Sequence, residues 1–403
     1  MLETVREYAL EQLEEAGEAT DLRRRHATYI LELAERVAPE AIDAAHAAVL
    51  ECEREEVRAA LGWAASRPEV ELAVRLATGA WTLWYFRSHY AEGRDWFGQV
   101  LALPGADSSV WGARARLYLG QLLLQQGEYA AADATSRIAL AGYTAGGDDL
   151  GVALATRLLG NVAMWRGDLA QAGMLLGKAA QRLRELKNPG AFGALFNFAT
   201  VALESGDANR ALALAADIEE LGQAWQPLLA SAWAVFLRGA VAARRGDAEL
   251  AERLLARALD LQQPLGHHQL RLLLLTELAH TLLDQNRIAE AKTTLGEAVQ
   301  EAHRAGLRNR LTRAMDAVAR AAAVSQPAAA VRLAGAAAAG RTVLGVVAWP
   351  REIRRNTIWL AAARRKLGKH AYEAAWAAGA RASVDEAADM ARRMLGECDA
   401  QPE

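Results

Sequence analysis

A chain of 403 residues is too long for one ordinary hydrophobic core, so it must divide into domains or stack repeats that bury their faces only against neighbours. With 52% hydrophobic and 24% charged residues and only 9 prolines, it is neither disordered nor fibrous. A net charge of -3 gives no electrostatic case for direct nucleic-acid binding across the surface, and Cys52 and Cys398, near opposite ends without CxxC spacing, suggest neither a disulfide framework nor a zinc site.

The first residues are charged and amphipathic, with no apolar core of a signal peptide. Leu2, Val5, Ala9 and Leu13 recur at helical spacing, and Leu22, Ala27, Ile30, Leu31 and Ala34 continue a similar stripe. Gly17 and Thr20-Asp21 separate the two segments, with Thr20 or Asp21 placed as an N-cap, and Pro39 ends the second. Two more helices are expected over residues 41–65 and 70–87, divided at Arg67-Pro68. Arg23-Arg24-Arg25-His26 reads as a solvated face. Trp81, Trp84, Tyr85, Phe86, Tyr90 and Trp96 read as packing at the joint between the N-terminal helices and the periodic region, since aromatic rings bury large areas. No apolar run reaches the roughly 18 to 20 residues of a membrane span, so a cytoplasmic, membrane-free protein is expected.

From residue 74 a period sets in. Ser88, Gly127, Gly167, Gly206, Gly246, Asn286 and Ser325 succeed one another at intervals of 39 or 40 residues. Five positions after each stands Gly93, Ala132, Ala172, Ala211, Ala251, Ala291 or Ala330. Small residues suit the point where two helices of a hairpin cross at about 8 to 10 Å. Gly or Asn at the turn supplies a left-handed residue that ends the first helix, and Asp168, Asp207 and Asp247 can cap the second. After Gly340 the pattern changes. An apolar run at 343–347 precedes Trp349-Pro350, a helix is expected from 351 to 367, and Ser383 with Glu386 forms a capping box for the last helix.

This pattern resembles the tetratricopeptide repeat, most specifically at Gly120, Gly127-Glu128-Tyr129 and Ala132, and again at Gly160, Gly167-Asp168-Leu169 and Ala172. The resemblance implies an all-α fold, a right-handed α-solenoid of about seven helix hairpins with helical N- and C-terminal caps. The expected divisions are an N-terminal helical segment at 1–73, the superhelix at 74–340 and a C-terminal cap at 341–403. The segments 1–18 and 22–35 resemble the junction to the repeat region in bacterial signal-transduction ATPase regulators, and 367–391 resembles the tail of LuxR-type and antibiotic-regulator-type members. That likeness implies the C-terminal sensor part of a transcriptional regulator, with an ATPase or DNA-binding domain or chain as partner. A free-standing adaptor unrelated to transcription is the alternative.

For catalysis the sequence offers little. GxxxxGK[ST] is absent, and Gly173 with Gly177-Lys178 has the wrong spacing and lacks the hydroxyl that comes next in a phosphate loop. No metalloprotease or nucleophile-elbow motif occurs, so no enzyme, metal or cofactor is expected; His267-His268 reads as a solvated loop pair. The concave groove is the better candidate, for a peptide, a protein or a small effector. Its lining, read from the first helix of each pair, is Gln121 and Gln125; Arg157, Asn161 and Trp165; Phe196, Asn197, Thr200 and Glu204; Trp233, Phe236 and Arg244; and His280. Aromatic residues and Arg dominate binding hot spots, although Phe196, Trp233 and Phe236 also suit plain packing between repeats. Arg157, Asn161 and Asn197 resemble three positions of the clamp by which some tetratricopeptide domains hold a terminal carboxylate, with Trp233 and Leu237 where further basic residues would stand.

Overall fold

The computed structural model describes residues 12–36, 44–67, 69–106, 110–265 and 268–396. Pro39, Pro68, His267, Cys398 and the stripe from Leu2 to Ala9 therefore lie outside the described residues. The described chain is helical, with no strand. It divides into two compact units, residues 1–122 with 134–155 and residues 123–133 with 156–403.

The first unit holds α1 (Ala19–Ala34), α2 (Ala44–Cys52), α3 (Arg54–Ala65), α4 (Val70–Gly79), α5 (Trp81–Phe86) and α6 (Tyr90–Leu101). Most of α7 (Val110–Gln126), the later part of α8 (Tyr129–Ala145) and the start of α9 (Asp149–Trp165) belong to it too. Three local readings change. α1 begins at Ala19 with Glu18 at its cap and no side-chain bond, so neither Thr20 nor Asp21 caps it. The helix expected over 41–65 is broken at Glu53, and that over 70–87 at Ala80, directly after Gly79, a poor helix former. Trp81 and Trp84 are buried. Trp81 stacks on Tyr118 at 4.5 Å and Trp84 meets Phe97 edge-on at 5.4 Å, which makes the aromatic cluster core. The Arg23–His26 run stays at the surface, tied to Glu14, Glu69, Asp21 and Glu56.

The second unit continues with α10 (Leu169–Glu185), α11 (Gly190–Glu204), α12 (Ala208–Gly222), α13 (Pro227–Arg245), α14 (Ala248–Gln262), α15 (His268–Asp284), α16 (Ile288–Arg304), α17 (Arg308–Ala322) and α18 (Pro327–Leu344). α19 (Pro350–Leu367), α20 (Lys369–Ala380) and α21 (Val384–Leu395) close it. From α5 onward the helices pair as tetratricopeptide-like hairpins about the periodic turns. Of those turn residues, Ser88, Gly127, Gly167, Gly206, Gly246 and Asn286 have positive φ; Ser325 does not, and Pro327 restarts the chain instead. Asp168, Asp207 and Asp247 each accept a hydrogen bond from the backbone N–H three residues on, at 2.9 to 3.1 Å. The crossing alanines 132, 172, 211, 251, 291 and 330 are wholly buried. A methyl at Gly160 would stand 2.8 Å from Leu176, so the two helices of that hairpin are in direct contact there. Ser383 and Glu386 form the expected capping box.

At the far end, α18 and α20 meet backbone to backbone. A Cβ on Gly379 would lie 1.8 Å from the Arg332 carbonyl, and one on Gly335 would lie 2.5 Å from that of Trp376.

Candidate functional site

In the second unit, α11, α13, α15 and α17 present one common face, and the chain after α18 turns back across it. Val347 packs against Gly167, where a Cβ would come within 2.1 Å of it, and Leu344 packs against Gly127. Trp349 comes next, with its ring 5.5 Å from that of Trp165. Between the start of α19 and the four helices lies a cavity of about 60 Å³. Thr200 and Glu204, Phe236 and Arg244, Glu277 and His280, Arg310 and Arg313 line one side; Trp349, Arg351, Glu352 and Arg355 line the other.

Charge is concentrated here. Arg244 pairs with Glu204, and both Arg351 and Arg355 reach the Glu277 carboxylate. Arg313 pairs with Glu352 at 2.8 Å and lies over the Trp349 ring, 3.5 Å from its centre. Arg320 bonds Asp284 at 2.5 Å and faces the His280 Nδ1 at 3.3 Å. Burial alone would push the Glu277 carboxyl up, but Arg351, Arg355 and Arg244 outweigh it and hold the group well below the carboxylate range. Burial, with Arg355 adding to it, keeps His280 neutral by driving its pKa far down. Arg355 is lowered to about 10 by burial, and Arg351 beside it adds to the effect. Glu204 is shifted up by burial in spite of Arg244, and its Oε2 has no hydrogen-bond partner among the described residues. Behind the cavity, Asp316 bonds Arg341 at 2.5 Å, yet burial raises it to about 6.

The residues read from the sequence distribute themselves unevenly. Thr200, Glu204, Phe236, Arg244 and His280 come together at the cavity, and Trp165 stands at its edge through Trp349 and Arg313. Phe196 stacks on Trp233 at 4.6 Å and sits 5.9 Å from Phe236, an aromatic layer between hairpins. The three clamp-like residues turn to one another and to the backbone: Asn197 donates to the Asn161 Oδ1 at 2.7 Å, and Arg157 donates to the Gly190 carbonyl at 3.4 Å. Gln125 is buried; Gln121 is half-buried and belongs to the first unit. His268 pairs with Glu301 at 2.9 Å and stays exposed. Sequence reasoning missed Glu277, Arg313, Trp349, Arg351 and Arg355. The last three were readable only as a cap, although two arginines four apart behind Trp349-Pro350 on one helix face were a signal for a polar seat.

Comparisons agree with the hairpin architecture. No family model matches the chain. Proteins named as HTH-type transcriptional regulators in Mycobacterium tuberculosis and Mycobacterium bovis are 38% identical over 104 residues, 25% of this chain. The matched segment is 12% of the length of those relatives. Among solved structures, a Rap protein in complex with Competence and Sporulation Factor superposes over 94% of this chain and 98% of its own, with a TM-score of 0.57 at 12% identity. The apo form of RapI covers 63% of this chain and 94% of its own, with a TM-score of 0.52 at 13% identity. The chain is thus a tetratricopeptide-like helical array.

Proposed function

We propose that the chain is an interaction and sensing module of a bacterial transcriptional regulator, acting in the cytoplasm, whose second unit holds a peptide, protein segment or small effector on the face shared by α11, α13, α15 and α17. The observation that carries this reading is the convergence of Phe236, Glu204, Arg244, Glu277 and Arg313, from four successive hairpins, on one cavity. An ordinary interior would fill such a place with aliphatic side chains, because buried charge must be paired to be tolerated. The partial identity to HTH-type regulators supports the regulatory setting, and the Rap protein complexed with Competence and Sporulation Factor supports an array of this fold as the holder of a bound factor. An ATPase or DNA-binding partner would receive the bound state. No catalytic step is part of this reading.

The test is selection from a displayed random-peptide library against the purified chain. Enriched peptides should lose binding to Phe236→Ala, while Arg253→Ala and Arg257→Ala, both exposed on α14, leave it intact. Failure to enrich any peptide, or binding indifferent to Phe236, would sink the reading.

A further inference from the structure

The face just described already holds a guest. Seven residues, Trp349 at the N-cap of α19 and the helix's first six to Arg355, lie along it and engage its most distinctive groups. Trp349 sits beside Trp165 and under Arg313, and Arg351 with Arg355 shares Glu277, whose side chain is only 12% exposed.

This helix is seated with its sides reversed. Arg351 and Arg355 face in at 11% and 13% side-chain exposure, while Ile353 and Ile358 face out at 53% and 75%. Apart from Trp349, the hydrophobic effect does little to hold the turn in place. A buried ion pair roughly breaks even against hydration of its two charges, so another segment bringing the same groups could replace this one at small net cost. The fit is also incomplete: the cavity of about 60 Å³ remains beneath the turn, where a finished protein interior would be close-packed.

We propose that the face binds a partner segment carrying an aromatic anchor and arginines on one helical face, and that residues 349–355 are the chain's own substitute for it, displaced when that partner arrives. The proposal rests on the reading of this face as a peptide-binding surface. Trp165 and Arg313 receive the aromatic ring. Glu277 takes guanidinium groups two and six residues further along, one helical turn apart. Arg is suited to a carboxylate because its planar fork can donate two parallel hydrogen bonds. Occupancy by the internal segment lowers the apparent affinity for any partner by the fraction of chains in which the face is clear.

The experiment titrates a labelled synthetic peptide of residues 346–367 against the full chain. Three forms are compared: wild type, Arg351→Glu/Arg355→Glu, and Trp349→Ala, the last as a milder release should the double variant lose its helical circular dichroism. Released chains should bind the peptide at least ten-fold more tightly than wild type. Adding Glu277→Gln should abolish that gain, and a peptide with both arginines replaced by glutamate should not bind. Equal affinity of wild-type and released chains, no binding to either, or a preference of the released chain for acidic peptides or inorganic phosphate would overturn the proposal. The two readings fail separately. Library peptides that depend on Phe236 but lack the aromatic–arginine pattern would leave the interaction module standing and remove this inference.

Discussion

Asp316 shows how one buried carboxyl can reverse the usual response to acid. Burial raises it from 3.8 to about 6, so the folded state holds a proton that the unfolded chain has already released in that range. Its contribution is therefore fully present below pH 3.8 and is lost as pH rises through 6. Comparing urea unfolding of wild type with Asp316→Asn should show wild type losing ground between pH 4 and 7, by at most about 3 kcal/mol for a shift of this size. A flat difference would mean that Arg341 keeps the carboxylate ionised throughout. Two turn glycines make a second comparison. Gly167 and Gly206 have φ of +83° and +88°, but a Cβ on Gly206 meets open space whereas one on Gly167 strikes Val347. Gly206→Ala should cost about 1 kcal/mol from the left-handed backbone alone. Gly167→Ala should cost roughly 1 to 3 kcal/mol more by overpacking and should loosen the segment after Leu344. Chemical denaturation gives the costs, and hydrogen exchange at Val346 and Val347 gives the loosening.

At the scale of the helix hairpin, most of what the structure contains could be read in the chain. Small residues at fixed offsets, left-handed turns and Asp caps are local devices, and each leaves its mark within a dozen residues. Replacing Asp168, Asp207 or Asp247 by Ala should cost about 1 kcal/mol apiece, measured by denaturant unfolding, because each satisfies an otherwise orphaned N–H. The break at Glu53 was not legible, since it carries no Gly or Pro and the apolar spacing runs on past it; the break at Ala80 had only Gly79 to mark it, inside an apolar run that continues. Lys187, with φ of +51°, ends α10 where Gly or Asn would be expected, and only Pro189 two residues on marks the stop. The candidate site was half legible. Thr200, Glu204, Phe236, Arg244 and His280 are fixed by which side of a first helix faces its neighbours, a question periodicity answers. Glu277 and the Trp349–Arg355 turn are not, because where a terminal helix comes to rest depends on contacts across more than 70 residues of chain, such as that of Arg355 with Glu277.

Across the molecule, the two units carry opposite acid-sensitive groups. In the first, burial works to raise Glu92, but bonds from Arg58 and Arg54 prevail and bring it to about 2. Its stabilisation is present above pH 4.5 and is lost as pH falls toward 2. For a group this exposed to solvent screening, about 1 kcal/mol is the expected size. Glu92→Gln should accordingly flatten acid unfolding below pH 4.5 and leave the behaviour between pH 5 and 7, where Asp316 titrates, unchanged. The contact of Gly379 with the Arg332 carbonyl has a different consequence. A stack of hairpins has no intrinsic length limit: its last member ends in a surface shaped to accept another of its kind, including one from a second molecule. Pressing α20 so close that no side chain fits between it and α18 covers that face of α18. Gly379→Leu should lift that lid, and light scattering should then register growth with protein concentration, as chains begin to add to one another end on.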